Sequence, residues 1–190
     1  RRSESSGTRR RDLFACLLVA GLGCLLYVNT LNHGFALDDY HVILSNEFVQ
    51  KGIAGLPAIW TRPHWYQGIQ YRPVPATMFA LERELAGDDA RVGHWVNVVL
   101  YALTCGILTA ILLRLLGPGR RMTAIAAAVL FAAHPIHTEA VANIKSRDEI
   151  LCFLALLGTN AAMMRWSTKE RAGAGRAVWL GVGLLVFALG

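Results

Sequence analysis

Two adjacent carboxylates, Asp38 and Asp39, follow the first apolar run of the chain in the stretch Phe35-Ala36-Leu37-Asp38-Asp39-Tyr40. A carboxylate that is held against a hydroxyl group can accept its proton and activate a weak nucleophile. Adjacent side chains point in different directions on both a helix and a strand. Only one member of the pair is therefore expected to act as a base, while the other orients an acceptor or caps local structure.

A second stretch, from His134 to Arg147, holds the highest density of ionisable groups outside the termini. Lys145 and Arg147 could hold a phosphate group, since arginine offers a bidentate fork. His134, His137 and Glu139 could ligate a metal, but their spacing is not a tight chelating pattern, and we expect no metal. A charged loop that is simply solvated is the alternative.

A polar stripe begins the second long apolar run. His94, Asn97 and Tyr101 are spaced i, i+3 and i+7, so they share one face of a helix. In a membrane helix such a face turns toward the bundle interior or a watery cavity. The stripe is compatible with substrate contact and equally with hydrogen bonding between helices.

The elements that must position these groups are apolar helices. The chain is 54% hydrophobic and only 17% charged, which favours a membrane protein over a soluble domain. The formal charge of +6 does not indicate nucleic-acid binding, because the basic residues group at the ends of apolar runs. Four cysteines fall inside apolar runs, which is typical of small buried side chains rather than disulfides.

The apolar runs predict a multi-pass, all-α membrane protein with a long outer first loop. The sequence begins at Arg1 and stops inside an apolar run, so we expect it to be part of a longer protein. The predicted segments are a basic leader (1–12), span one (13–31), the first outer loop (32–93), span two (94–116), span three (122–134), a second outer loop (135–149), span four (150–166) and the start of span five (178–190).

Charge asymmetry predicts the orientation of these spans. If they alternate across a bilayer, one side carries twelve cations in short segments, and the other carries seven in much longer ones. The positive-inside rule places the amino terminus in the cytoplasm, so Asp38 and Asp39 face the outside or the lumen. A signal peptide is the alternative for the first run, but Val28-Asn29-Thr30 is not a small-x-small cleavage site.

The first outer loop contains two stretches with helical apolar spacing. One comprises Ile53, Leu56, Ile59 and Trp60, and the other comprises Val74, Met78, Leu81 and Leu85. Trp65, Tyr66 and Tyr71 lie between them, and such aromatic residues favour the headgroup level. These stretches are predicted to be amphipathic helices on the membrane surface; a small folded subdomain with its own core is the alternative.

Four motifs together resemble the transmembrane and tetratricopeptide-repeat O-mannosyltransferases and their bacterial relatives. They are Phe35-x-x-Asp38-Asp39, Tyr71-Arg72-Pro73, His94-x-x-Asn97 and His134-Pro135-Ile136-His137-Thr138-Glu139-Ala140-Val141-Ala142. The resemblance covers most of residues 27–166, and the last motif is the most specific. The stretch 145–151 is more similar to bacterial members than to animal ones. Tyr101 is a departure, because many relatives have a histidine there.

The resemblance implies a GT-C-type helical bundle that uses a polyprenyl-phosphate sugar, usually mannose, to modify protein Ser or Thr hydroxyls with inversion. The acidic residue of the first outer loop is then the expected base, and we favour Asp38. Arg147, with Arg72 or Lys145, would stabilise the departing phosphate. His94, Asn97, His134, His137 and Glu139 would hold the acceptor or the sugar.

The expected partners are the lipid-linked sugar, which is a co-substrate rather than a cofactor, an acceptor protein and the bilayer, without nucleic acid. The membrane would be a bacterial inner membrane or the endoplasmic reticulum. A non-catalytic scaffold or a transporter-like protein that binds a partner is the alternative function. A transporter should carry polar groups near mid-membrane, whereas the middles of spans two to four are largely Leu, Ala, Ile, Val and Gly.

Overall fold

The computed structural model describes residues 2–63 and 70–167, together with 178 and 181, and its described part is helical without a β-strand. The all-α class expected from the sequence is therefore confirmed. The helices are α1 (Arg2–Tyr27), α2 (Glu47–Gln50), α3 (Leu56–Thr61), α4 (Pro73–Ala86), α5 (Ala90–Leu116), α6 (Arg121–Ala132), α7 (His137–Ala142) and α8 (Arg147–Ser167). Short 3-10 turns cover Val28–Asn32, Gly52–Gly55, Pro118–Arg120 and Ile144–Ser146, and Tyr40–Leu44 is π-helical.

The chain forms two compact units. Among the described residues, the first contains 2–26, 100–134 and 151–167, and the second contains 27–63, 70–99 and 135–150. The helix α5 contributes residues 90–99 to the second unit and residues 100–116 to the first.

Small residues allow close helix packing in the first unit. A Cβ atom added at Gly23 of α1 would lie 3.1 Å from the Cys105 sulfur of α5, so the two helices approach closely there. On α6, Ala124, Ala128 and Ala132 are fully buried at intervals of four residues. Such small-residue faces are typical of packed helices in membranes.

The second unit has an apolar core of its own. The buried face of α4 consists of Pro75, Ala76, Phe79 and Ala80. Val42, Val49 and Ile59 pack into the same cluster. The Asn46 side chain caps α2 by accepting hydrogen bonds from two backbone N–H groups.

The apolar stripe expected on the 73–86 helix lies mainly outward. Leu81 and Leu85 are exposed, whereas the core takes the adjacent face. The sequence had given a surface helix and a small folded subdomain as alternatives, yet α4 combines both: it buries one face and exposes apolar groups on another. Trp65 and Tyr66 lie outside the described residues.

Two helices among the described residues are long and apolar enough to cross a membrane, Gly7–Asn32 and Ala90–Leu116. They overlap the first two expected spans, 13–31 and 94–116. At the place of the expected third span, α6 has 12 residues and is about 18 Å long. This is shorter than the hydrocarbon core of a bilayer, which is about 30 Å thick. At the place of the expected fourth span, α8 begins with three charged residues, Arg147, Asp148 and Glu149. The expected fifth span, 178–190, lies outside the described residues except for 178 and 181.

Candidate functional site

Asp39 is a buried clamp between two segments of the second unit. Its side chain is 0% exposed. One carboxylate oxygen accepts the backbone N–H of Ala36 at 2.9 Å, and the other accepts the backbone N–H of Lys145 at 2.7 Å. Burial raises the pKa of Asp39, although these N–H groups and the nearby His94 oppose the rise. The carboxylate therefore ties the acidic loop to the stretch at 144–145.

Asp38 has the opposite environment. Its side chain is 43% exposed, and one carboxylate oxygen lies 3.9 Å from the Lys145 ammonium nitrogen. The preceding residue, Leu37, has a φ of +48°, a left-handed conformation that is costly for a branched side chain. The two carboxylate oxygens of Asp39 bind backbone N–H groups on either side, at Ala36 and Lys145, and these hydrogen bonds stabilise the strained turn. The Asp38 side chain next to it stays partly exposed.

Arg147 lies at the centre of the unit. Its side chain is 0% exposed, and its guanidinium makes a bidentate pair with Glu82 at 2.5 and 3.1 Å. The same group donates to the Gly93 carbonyl at 3.1 Å and stands over the Phe79 ring, 4.6 Å from its centroid. Burial lowers the pKa of Arg147, and the charge of Glu82 opposes this.

Direct phosphate binding by Arg147, which the sequence suggests, stays a prediction. A guanidinium without an exposed face cannot reach a lipid-linked donor unless the surrounding core opens. Its bidentate fork is instead used on a carboxylate within the protein.

Asn97 extends the same network. Its carbonyl oxygen accepts the Arg147 Nε–H at 2.8 Å, and its amide nitrogen donates to the Asn143 carbonyl at 3.0 Å. A longer contact, 3.4 Å, reaches the Val141 carbonyl near the end of α7. Of the two roles that the sequence left open for this residue, hydrogen bonding between segments is the one that these contacts favour.

His94 is also buried, with 1% of its side chain exposed. Its Nε2 lies 3.4 Å from the Gly34 carbonyl, and its ring meets that of His33 edge to face at 6.0 Å. Its Nδ1 has no hydrogen-bond partner within the described part of the chain. His94 therefore lies against the loop that precedes the acidic pair. Tyr101, from the same stripe, belongs to the first unit, where its hydroxyl donates to the Ala132 carbonyl at 3.0 Å.

The other candidate residues lie nearer the surface. Arg72 is 38% exposed and pairs with Asp148, which in turn has one buried oxygen without a partner in residues 2–63 and 70–167. His137 begins α7 and is half-buried, while Glu139 is exposed and accepts a long hydrogen bond from Asn143. His134 is exposed and is the last residue of its segment of the first unit, so the structure does not group it with these residues.

No metal-binding cluster of three or more His, Cys, Asp or Glu side chains occurs among the residues that the structure describes. Separately, the second unit places the half-exposed Asp38 carboxylate 3.9 Å from the Lys145 ammonium nitrogen. The buried charged network holds that pair in place.

Sequence analysis did not identify Glu82, Gly93 or His33. Glu82 follows the buried Phe79 by three residues on α4, so its place on the core-facing side was available as a signal. Gly93 has no such signal: a Cβ atom added there would lie 2.8 Å from Ile144 Cγ2, a contact that only the tertiary structure creates.

In its described residues the protein is helical, and two of its helices are long and apolar enough to cross a membrane. Its second unit contains a buried network of charged side chains centred on Glu82 and Arg147. The chain is 36% identical to the human protein O-mannosyl-transferase TMTC1 over 151 residues, which are 75% of this chain and 17% of that protein. It is 33% identical to Drosophila melanogaster Tmtc2 over 187 residues, 93% of this chain and 20% of the relative. For mouse TMTC2 the identity is 32% over 185 residues, 90% and 21% of the two chains.

The chain belongs to the family of these protein O-mannosyl-transferases, as the motifs had suggested. It spans about a fifth of the length of the relatives that it matches. No protein-family profile matches the chain, and no solved structure does.

Proposed function

We propose that this chain is the part of a protein O-mannosyltransferase that carries its catalytic base. The whole protein would transfer mannose from a polyprenyl-phosphate donor to Ser or Thr hydroxyls of an acceptor protein. The observation that supports the proposal is the difference between the two acidic side chains. Asp39 accepts hydrogen bonds from two backbone N–H groups, while Asp38 is half-exposed beside Lys145. The names of the relatives support the type of reaction.

In the proposed reaction, Asp38 accepts the proton of the acceptor hydroxyl as its oxygen attacks the anomeric carbon. A carbon–oxygen bond to the acceptor forms, the bond to the lipid phosphate breaks, and its electron pair leaves with the phosphate. Attack from the side opposite to the leaving group inverts the anomeric carbon. A general base of this kind contributes roughly 10²–10⁴-fold to the rate.

The departing phosphate requires cations that ligands can reach. Arg72 and Lys145 are the proposed ligands, because their side chains retain exposed fractions of 38% and 16%. Each has an acidic partner, Asp148 or Asp38, that a phosphate would partly replace. We assign Arg147 to positioning instead, since it holds the stretch whose Lys145 amide binds Asp39. His94, Asn97, His134, His137 and Glu139 remain proposed contacts or supports for the sugar and acceptor.

The proposed setting is a multi-pass GT-C-type bundle with a cytoplasmic amino terminus and the acidic pair on the outer or luminal side. The membrane is a bacterial inner membrane or the endoplasmic reticulum. The exposed Leu81 and Leu85 of α4 support contact of this helix with the bilayer surface. Further spans and helical repeats of about 34 residues would complete the protein.

The test is transfer of labelled mannose from polyprenyl-phosphate mannose to acceptor protein by the purified full-length protein. Asp38→Asn should lower the transfer rate at least 100-fold without changing thermal stability, because it removes a base and keeps the size. Asp39→Asn should lower both the transfer rate and the thermal stability, because an amide nitrogen would face a backbone N–H. Glu47→Gln is the control, since Glu47 is an exposed carboxylate paired only with Lys51 in the described contacts, at 3.5 Å.

Equal transfer by wild type and Asp38→Asn would remove the base from this residue. Loss only in Asp39→Asn, with stability retained, would move the base to the buried carboxylate. If wild type failed with several donors and acceptors, a non-catalytic scaffold would replace the enzyme.

A further inference from the structure

An apolar groove lies in the first unit, between α1 and α6. Its volume is about 370 Å³, which is within the range of roughly 300–1,000 Å³ for small-molecule sites. Its walls include Phe14, Leu18 and Leu22 from α1 and Ile125 and Val129 from α6. These side chains offer no hydrogen bonds, so the interior suits a hydrocarbon chain.

One end of the groove is cationic. Arg11 and Arg121 line it together with the apolar residues. Arg121 pairs with Asp12, whereas Arg9, Arg10 and Arg120 add further positive charge next to the two lining arginines in the chain. Positive charge therefore exceeds negative charge at this end by several units.

The surroundings of the groove are also apolar. Phe14 and Leu18 expose 62% and 57% of their side chains, and Leu130 on α6 exposes 71%. Outward-facing groups of this size are costly in water, at about 25 cal/mol per Å² of apolar surface. They are expected where a helix meets lipid, and Gly7–Asn32 is long and apolar enough to cross a bilayer.

We propose that this groove binds an anionic glycerophospholipid. One acyl chain would occupy the apolar part, and the phosphate would lie between Arg11 and Arg121. Basic pockets between membrane helices on the cytoplasmic side bind anionic headgroups in this manner. The proposal relies on the proposed bilayer setting but not on the transfer reaction.

Charge complementarity decides between the possible occupants. A zwitterionic lipid would bring a choline cation toward the arginines, whereas an anionic headgroup has no such penalty. A bare hydrocarbon would bring no anion to Arg11 and Arg121, of which Arg121 is already paired with Asp12. The polyprenyl-phosphate donor shares the phosphate chemistry, so the experiment must separate it from a glycerophospholipid.

The experiment is native mass spectrometry of the purified full-length protein, titrated with dioleoylphosphatidylglycerol or with dioleoylphosphatidylcholine. Wild type should retain one phosphatidylglycerol at about tenfold lower concentration than phosphatidylcholine, which corresponds to about 1.4 kcal/mol. The Arg11→Gln/Arg121→Gln variant should lose this preference. Val129→Trp should weaken the binding of both lipids, because the indole fills the apolar part.

The matched control is Arg9→Gln/Arg120→Gln, which removes the same charge without altering a lining residue. Equal loss in both double variants would overturn the site and indicate diffuse attraction. Arg121→Gln removes the ion pair with Asp12 and could therefore impair folding. Arg11→Gln alone changes an exposed side chain, so it provides a second, independent measurement. Unchanged preference in Arg11→Gln, or displacement of phosphatidylglycerol by an equimolar polyprenyl phosphate, would refute the assignment. Mannose transfer in the same samples shows separately whether the proposed function holds.

Discussion

The buried pair of Glu82 and Arg147 should control the stability of the second unit. Glu82→Gln keeps the size of the side chain but leaves the Arg147 guanidinium as an uncompensated charge that is 0% exposed. Removing one partner of a buried ion pair typically costs about 3–5 kcal/mol. Since domains are stable by only about 5–15 kcal/mol, this single change should consume a large part of the free energy of unfolding.

A double-mutant cycle separates the pair from the rest of the network. Arg147→Met removes the buried charge, but the Asn97 and Gly93 oxygens lose their donor, which costs about 1–3 kcal/mol for each buried group. In Glu82→Gln/Arg147→Met no charge remains, so the loss should be smaller than the sum of the two single losses. We expect a coupling energy of about 2–3 kcal/mol.

The assay is equilibrium unfolding of the purified full-length protein in detergent, followed by circular dichroism, together with hydrogen exchange at the Lys145 amide. That amide is bound by Asp39 at 2.7 Å, so it reports on the acidic loop. A loss of about 3–5 kcal/mol corresponds to exchange that is roughly 100- to 4,000-fold faster.

The control for the cycle is Arg83→Ala, one residue along α4. Arg83 pairs with Asp88 at 3.0 Å, but the two side chains are 31% and 50% exposed. Exposed pairs contribute about 0–1 kcal/mol, so this change should have a small effect. If Glu82→Gln cost no more than Arg83→Ala, or if the two changes of the cycle were additive, a central role of the buried pair would be refuted.

Two further predictions concern the same unit. Burial raises the pKa of Asp39 above 3.8, so the folded state binds its proton more tightly than the unfolded state. The free energy of unfolding of wild type, relative to that of Asp39→Asn, should therefore fall as the pH rises from about 4 through the folded pKa of Asp39. A difference between the two proteins that stays constant across this pH range would contradict the prediction. Gly93→Ala should cost about 1–3 kcal/mol, because its methyl group would lie 2.8 Å from Ile144 Cγ2. Gly21→Ala, which meets nothing within 4 Å, is the control, and an equal thermal shift in both variants would exclude the proposed overlap.

The positions of the long helices could be predicted from the sequence because each depends on local composition. The apolar runs at 13–31 and 94–116 overlap α1 and α5, and their length alone indicates a helix that can cross a membrane. The adjacent residues Asp38 and Asp39 could also be expected to have different roles. Two neighbouring side chains diverge on any regular backbone.

The burial of Arg147 could not be predicted in the same way. In sequence it follows Lys145 within a charged loop, which is equally compatible with a phosphate ligand and a solvated surface. Its burial depends on Glu82 and Gly93, which are 65 and 54 residues away along the chain. No local pattern records a partner at that separation.

What the sequence by itself determined is the class of the protein, its long helices and the motifs of its family, since hydrophobic runs and short motifs are local properties. Only the tertiary structure decided which acidic residue is exposed and which is clamped. It also decided that Arg147 is buried and paired with Glu82. The reason is that burial is a property of the assembled core, in which a charge is stable only where distant segments supply a countercharge and hydrogen bonds.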